Sequence, residues 1–327
     1  LTPVYNPDGS YGDTYNLITE GGIGVANPIQ VANERVSTNS NYFMQGSLFG
    51  EFEILNGLIF RTNIGSVFSN SKNNEFTPST LPSVLAPTPA TASFDTGENI
   101  NWVNENTLSY TKTRDKHYFD IVAGFTAQKS LSISSSISAT NFPDNLIKNI
   151  NGGRITGGSQ NIREWSLLSY LGRINYTFND RYLVTLTTRA DGSSRFGPNR
   201  QWGIFPSFSA GWRLSEEAFI RDSNLFDDLK IRYSYGLSGN NDIGDYRYIG
   251  LLSDSYYVLG DQQVPGLIPS SFTNNNLGWE TSIQSDIGLD FSLFNNRLHF
   301  TGDYYKRRNT DMLLSKAISA VTGFTSA

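Results

Sequence analysis

The feature that most constrains this chain is a two-residue period sustained over stretches longer than an ordinary strand. Along 42–54 the even positions read Tyr42, Met44, Gly46, Leu48, Gly50, Phe52 and Ile54, while the odd ones include Gln45, Ser47, Glu51 and Glu53. Alternation of this kind puts the two sets on opposite faces of an extended backbone. Past a turn, Leu58, Phe60, Thr62 and Ile64 share one face, and Arg61 and Asn63 the other. A one-residue slip exchanges the faces, so the parity selects a three-residue loop, Leu55-Asn56-Gly57, with Gly57 supplying a positive φ. It also sets Glu51 opposite Arg61 on the polar side.

The pattern recurs. Leu108 and Tyr110 of 99–112 face Ile121 and Phe119 of 117–129. Ile174, Tyr176 and Phe178 of 164–178 face Leu186, Val184 and Tyr182 of 182–191. Stretches 204–214 and 229–238 follow, then 277–293 and 298–308, where Ile287 and Phe291 lie against Tyr304 and Phe300. This amounts to about ten antiparallel strands, the longest reaching 17 residues, against about five or six for a typical strand.

Links alternate in length. Those near 55–57, 113–116, 179–181 and 294–297 are tight, and 215–228 is longer, its Ser215-Glu216-Glu217 opening suggesting a helical turn. Between them run Asn/Ser/Gly/Pro-rich segments, 71–98, 130–163, 192–203 and 239–276. Short links at one end and long ones at the other describe a transmembrane β-barrel wall with short periplasmic turns and long extracellular loops. Trp102, Trp165 and Trp279 near the long-loop ends, and Trp212 with Tyr182 near the short ones, are the expected membrane-interface aromatics.

Composition narrows the chemistry. Charged residues are 17%, below the roughly 25% of soluble domains, and the net charge of −5 without a basic cluster disfavours nucleic acid. With no cysteine there is no disulfide, thiolate zinc site or Cys nucleophile. His117 and His299 lie far apart, each without a catalytic partner at a diagnostic spacing, so no enzyme is expected. Gly21-Gly22-Ile23-Gly24 lacks the spacing of a phosphate loop, and no metal-ligand cluster or cofactor motif appears. No apolar run reaches the roughly 18 residues of a membrane-spanning helix.

Ordered motifs across 172–240 carry a resemblance. Gly172-Arg173-Ile174-Asn175-Tyr176, Asp180-Arg181-Tyr182-Leu183 and Arg189-Ala190-Asp191-Gly192-Ser193-Ser194-Arg195-Phe196-Gly197 are followed by Phe205-Pro206-Ser207, Gly211-Trp212-Arg213-Leu214-Ser215, Glu217-Ala218-Phe219 and Tyr235-Gly236-Leu237-Ser238-Gly239-Asn240. With Leu277-Gly278-Trp279-Glu280-Thr281 and Asp303-Tyr304-Tyr305 they resemble the barrel of SusC/RagA family TonB-linked outer-membrane receptors. The resemblance implies an all-β, antiparallel barrel of 22 strands in the outer membrane of a Gram-negative bacterium, of which 1–327 supplies about ten. It implies import of oligosaccharides or peptides, energy from the TonB–ExbB–ExbD complex, and a SusD-like surface lipoprotein as partner. The plug domain, TonB box and C-terminal barrel strand of that family are not found in this sequence, which is expected to be an internal fragment of the barrel domain.

Three groups of candidate residues follow. In the 191–197 loop, either Arg195 and Phe196 face substrate, or Asp191 and the glycines shape a turn while Arg195 pairs within the barrel; Trp202 either stacks on a sugar or anchors the next strand. Glu51, Glu53, Arg61, Arg173, Arg189, Arg232, Asp286, Asp303 and Arg307 are expected to face the lumen, where they line a substrate path or meet the plug. Importer is the leading reading, against a secreted β-rich glycan-binding protein using Phe196 and Trp202, and against an outer-membrane barrel enzyme.

Overall fold

The computed structural model describes residues 3–12, 27–81, 89–223 and 225–324; the Gly21-Gly22-Ile23-Gly24 stretch lies outside them. The strands are β1 (Val36–Leu55), β2 (Leu58–Thr77), β3 (Thr91–Arg114), β4 (His117–Thr140), β5 (Arg154–Phe178), β6 (Tyr182–Ser193), β7 (Trp202–Arg213), β8 (Asp228–Asn240), β9 (Leu252–Leu259), β10 (Gln262–Pro269), β11 (Glu280–Leu293) and β12 (Leu298–Thr310). Ten of them form one sheet in the order β1-β2-β3-β4-β5-β6-β7-β8-β11-β12, and β9 pairs with β10 alone. Among the described residues two short α-helices, α1 (Pro28–Glu34) and α2 (Ala218–Arg221), and three 3-10 turns, Ile150–Gly152, Leu214–Glu216 and Ala320–Thr322, make up the remaining regular structure.

Cross-strand pairing follows the expected parity. Ile174 lies opposite Leu186, Tyr176 opposite Val184 and Phe178 opposite Tyr182, while Phe291 faces Phe300 and Ile287 faces Tyr304. Glu51 and Arg61 approach to 3.7 Å on the polar side. The first turn is tighter than expected: Asn56 and Gly57 make it, and Leu55 still belongs to β1. Strands β2 to β5 also run well past the expected ends, through Thr77, from Thr91, to Thr140 and from Arg154. The end of β4 keeps an alternation, Leu131, Ile133, Ile137 and Ala139 against Ser132, Ser134, Ser136 and Ser138, within a stretch expected to be loop, whereas 71–75 and 156–161 carry none and have backbone pairing as their only signature.

Contacts divide the chain into two units. In the first (Leu1–Gly46, Ser66–Asn101, Ser130–Glu164), a small core joins Phe76, Ala90 and Ala92, with Phe142 edge-on to Phe76 at 5.2 Å. Asn27 caps α1 by accepting from Ile29 and Gln30, a start that the sequence reading did not anticipate. In the second (Ser47–Gly65, Trp102–Lys129, Trp165–Ala327), the apolar side chains point outward. Leu48 is 76% exposed, and Phe52, Ile64, Leu108, Ile174, Leu186, Ile231 and Ile287 are also exposed. A water-soluble sheet buries such a face; one that displays it is built for an apolar solvent.

Gly57 is the tightest of the turn positions. Its φ is +79°, its carbonyl accepts from Thr111 N–H at 2.8 Å, and a Cβ there would stand 2.3 Å from the Thr111 carbonyl oxygen. Gly57→Ala is therefore expected to cost about 1–3 kcal/mol from φ strain and overpacking together, measured by urea unfolding of the full-length protein in detergent micelles.

Candidate functional site: a loop cluster at the rim of a polar wall

Near the end of β6, Asp191 is nearly buried and accepts from Arg189 Nε at 2.7 and 2.9 Å; Arg189 Nη2 also reaches Ser169 Oγ at 3.1 Å. Ser193 is buried, and its Oγ accepts from the Arg195 N–H at 3.3 Å, shaping the tight turn. Arg195 then turns inward, with its side chain only 15% exposed. Its Nε donates to Asp245 Oδ1 at 2.9 Å, and Nη1 to the Asn241 carbonyl at 3.1 Å and Asp242 Oδ1 at 3.3 Å. Its guanidinium lies 4.8 Å from the centre of the Trp165 ring. A planar fork with a stacking face satisfies all four contacts at once, which an ammonium does not.

Phe196 is fully buried at 0% exposure, 4.9 Å from the Trp279 ring centre. Trp279 in turn meets Phe205 edge-on at 5.3 Å and donates from Nε1 to the Gln201 carbonyl at 2.9 Å. Gly197 N–H donates to the Leu277 carbonyl at 2.9 Å, and a Cβ there would stand 2.3 Å from the Asn275 carbonyl oxygen. The β6–β7 connection is thus bonded to both the β8–β9 and β10–β11 connections. The β7–β8 ladder ends at Ser207 opposite Gly236, next to Pro206, which has no N–H to give. Beyond that point the Phe205 ring lies over Gly239, where a Cβ would come within 2.1 Å of it.

Below the cluster the polar side of the sheet is a wall of paired charges. Arg232 bonds Asp290 at 2.6 and 2.9 Å and Asp303 at 2.9 Å. Arg173 donates to Thr187 Oγ1 at 3.4 Å, and Arg307 to Ser282 Oγ at 2.6 Å. Arg61, Asn63, Glu105 and Arg189 border a cleft of about 350 Å³. Asp286 falls on the same face by register, opposite Ser234 and Tyr305. Among the described residues no group of three or more His, Cys, Asp or Glu is placed to hold a metal ion.

The opposite face carries two aromatic bands. Tyr170 stacks on Trp202 at 6.0 Å with Phe125 behind it, and Phe178, Tyr182 and Trp212 stack in series at 6.2 Å steps. Trp202 and Trp212 begin and nearly end β7. Their separation is about 34 Å along a strand rising ~3.4 Å per residue, or about 24 Å along the membrane normal at a ~45° tilt, the height of a barrel's apolar belt.

A model of the family described as TonB dependent receptor-like, beta-barrel matches residues 2–326. The chain belongs to this family. The receptor barrel is 35% identical over 326 residues to TonB-dependent receptor P3 of Formosa agariphila, covering 99% of this chain and 32% of that relative. It is 42% identical over 164 residues to TonB-dependent receptor SusC of Bacteroides thetaiotaomicron, covering 49% of this chain and 16% of SusC. The structure of the RagAB peptide transporter superposes with a TM-score of 0.87 at 25% identity, covering 98% of this chain and 35% of that one. The chain therefore spans about a third of the length of the curated relatives that it matches along its whole length. TonB-dependent receptor barrels reside in the outer membrane of Gram-negative bacteria, and the family is one of receptors and transporters.

The candidate residues take definite places in the receptor barrel. Phe196 has no open ring face, and Arg195 is engaged by two carboxylates. Trp202 stands on the outward face beside Tyr170. Trp165 and Trp279 belong to the loop cluster and not to the outward bands, whereas Tyr182 and Trp212 do stack in one of them and Trp102 is exposed. A residue whose contacts the sequence reading missed is Glu217. It accepts from Tyr182 Oη at 2.7 Å, Trp212 Nε1 at 3.1 Å and Arg181 Nη1 at 3.2 Å, tying a short link to the aromatic band. Its place five residues after Trp212, in a link starting with a helical turn, was the available signal.

Two outcomes are expected. Arg195→Ala leaves Asp245, itself 12% exposed, without its cation, and should cost about 2–4 kcal/mol; Arg195→Lys recovers only part of it. Hydrogen exchange should locate the loss of protection at 241–245. The hydrogen bond from Tyr182, then that from Trp212, lowers the Glu217 carboxyl below its ordinary value of 4.5, with Arg181 adding to the effect. The carboxylate's contribution is then fully present above that value and is lost as pH falls through the lowered one, so wild type should lose stability there and Glu217→Gln should show a flatter profile in pH-dependent unfolding.

Proposed function

We propose that this chain is part of the wall of an outer-membrane importer that takes up nutrients of the oligosaccharide or peptide class. In this reading the complete barrel has 22 strands, encloses a plug domain supplied by sequence outside 1–327, and draws energy through the TonB–ExbB–ExbD complex. Residues 1–327 contribute barrel only, and a SusD-like surface lipoprotein caps the long-loop end. The observation that carries the proposal is the two-sided sheet, an exposed apolar face between two aromatic bands backed by a wall of paired charges. The likeness to the RagAB peptide transporter is the reason to test peptides first.

Glu51, Arg61, Arg173, Arg189, Asp286 and Asp303 line the path in this proposal. With Phe196 sealed and Arg195 engaged, substrate contact falls to the wall around Arg61, Asn63 and Glu105 and to the outer loops. A secreted glycan-binding protein is disfavoured, because of its two candidate stacking rings Phe196 is buried and Trp202 belongs to the exposed apolar face beside Tyr170. The test is uptake by the full-length receptor in cells with and without a working TonB complex, offering defined peptides and neutral oligosaccharides. TonB-dependent uptake of one class is expected. A receptor that partitions into water without detergent, or uptake indifferent to TonB, overturns the proposal.

A further inference from the structure

We propose that a groove in the outward face of β4 to β8 holds one acyl chain of a lipid from the outer leaflet. The inference rests on the lipid-facing reading of this face and goes beyond it, from a general apolar belt to one site. Register draws the groove. Ile174, Leu186, Phe208 and Tyr235 lie side by side across β5, β6, β7 and β8, a row of large side chains. The row two residues further toward the long loops is Gly172, Thr188 and Pro206. Two residues beyond that come Tyr170, Ala190 and Ile204. A row of small residues between rows that hold larger ones is a trough. With Ile121 and Ala123 of β4 beside it, it forms a nearly apolar recess of about 590 Å³.

The recess lies inside the belt. Pro206 is four residues from Trp202 and six from Trp212, about 10 and 14 Å along the membrane normal for strands rising ~3.4 Å per residue at a ~45° tilt. At that depth the bilayer offers only hydrocarbon to fill it. The recess also coincides with the end of the β7–β8 ladder, whose last pair is Ser207 with Gly236. On the polar side Phe205 and Trp279 pack beside this gap. On the outward side the backbone has no water to turn to, and the walls of an empty recess forfeit their contacts. A flexible chain laid along the trough restores them. A second receptor would bring another wall of strands, which bridges a recess between side chains without entering it.

The two aromatic bands assign the leaflet. At the short-link end Tyr182 Oη and Trp212 Nε1 both donate to Glu217. At the long-loop end Tyr170 and Trp202 are half exposed, and neither Tyr170 Oη nor Trp202 Nε1 donates to a described residue. Rings at an interface with open donors suit the phosphate and hydroxyl oxygens of a lipid headgroup. The trough is also nearer to that band. A headgroup held there leads its chain toward Gly172, Thr188 and Pro206.

The test counts lipid retained on the full-length receptor by native mass spectrometry, after release from bilayers holding both lipopolysaccharide and phosphatidylethanolamine. Wild type should retain one lipopolysaccharide. Gly172→Leu fills the trough without crowding the backbone, since within 4 Å a Cβ there meets only Thr188 Cγ2, at 3.7 Å. It should cut the retained fraction about tenfold or more. Thr188→Leu fills the same trough from β6 and serves if Gly172→Leu does not fold. Ala210→Leu, on the same face of β7 but outside the trough, should leave retention within about twofold. Tyr170→Phe with Trp202→Phe should lower it by removing the two donors. Retention unchanged by the filling substitutions, or lowered equally by Ala210→Leu, overturns the groove. Retention of phosphatidylethanolamine in place of lipopolysaccharide overturns the outer-leaflet source. A lipid-free receptor pair that Gly172→Leu separates makes the occupant a second copy, and the inference fails. These outcomes leave the importer reading standing, whereas a receptor soluble without detergent overturns both.

Discussion

An extended backbone in the bilayer core has no water to turn to, so each N–H and C=O must find its partner within the sheet. The rest of this structure depends on that requirement. It explains why neighbouring strands pair along most of their length, as in the twelve register pairs from Leu167 with Ser193 to Phe178 with Tyr182. It also explains why the side chains are free to invert the usual arrangement of a folded protein. Once the ladders satisfy the backbone, the outward face needs only to be apolar, and the inward face must satisfy its own charges. Arg232 between Asp290 and Asp303 shows the inward solution: a fork reaching two strands, with Gly288 leaving room where a Cβ would come within 2.7 Å of both Arg232 and Asp303.

Where pairing fails, the structure substitutes rings. At Pro206 the β7–β8 ladder stops, and Phe205, Trp279 and Phe196 occupy the region beside the unpaired ends. A gap lined by backbone would admit water to unsatisfied groups; three aromatic rings exclude it and contribute packing area. Arg195 stands against Trp165 and ties the flanking connection, so ring packing and the charged latch act on the same loops. The short-link end has a counterpart in Glu217, whose carboxylate takes donors from Tyr182, Trp212 and Arg181. At both ends a charged side chain fixes the aromatic groups next to it.

Legibility in the sequence tracked the solvent. Opposite lipid, alternation reports the face directly, which is why the pairs Ile174 with Leu186 and Phe291 with Phe300 follow from parity alone. In 71–75 and 156–161 both faces are polar or glycine, the period vanishes, and strand reads as loop. The β9–β10 hairpin was hidden for a different reason, since Pro265, Gly266 and Pro269 are turn residues by composition and edge residues by position. Trp165 and Trp279 were assigned to the membrane interface by their position near strand ends. Position along a strand says nothing of which face a side chain leaves from, and both leave toward the loop cluster. Glu217 needed the fold itself, because its donors come from Arg181 and Tyr182 as well as from nearby Trp212.

The Asp191–Gly197 motif that carries the family resemblance then acquires a meaning other than recognition. Asp191 orients Arg189, Ser193 turns the chain, Arg195 draws in one neighbouring connection, Phe196 fills the space beneath, and Gly197 admits the backbone of another. Each of these duties is met by contacts inside the cluster. A motif so occupied has few groups left to select cargo, and its natural role is to hold a stable base from which other segments project. The wall below, around Arg61, Asn63 and Glu105, borders an open cleft instead. The residues most easily recognised in the sequence are for that reason the ones least suited to reveal what the barrel carries.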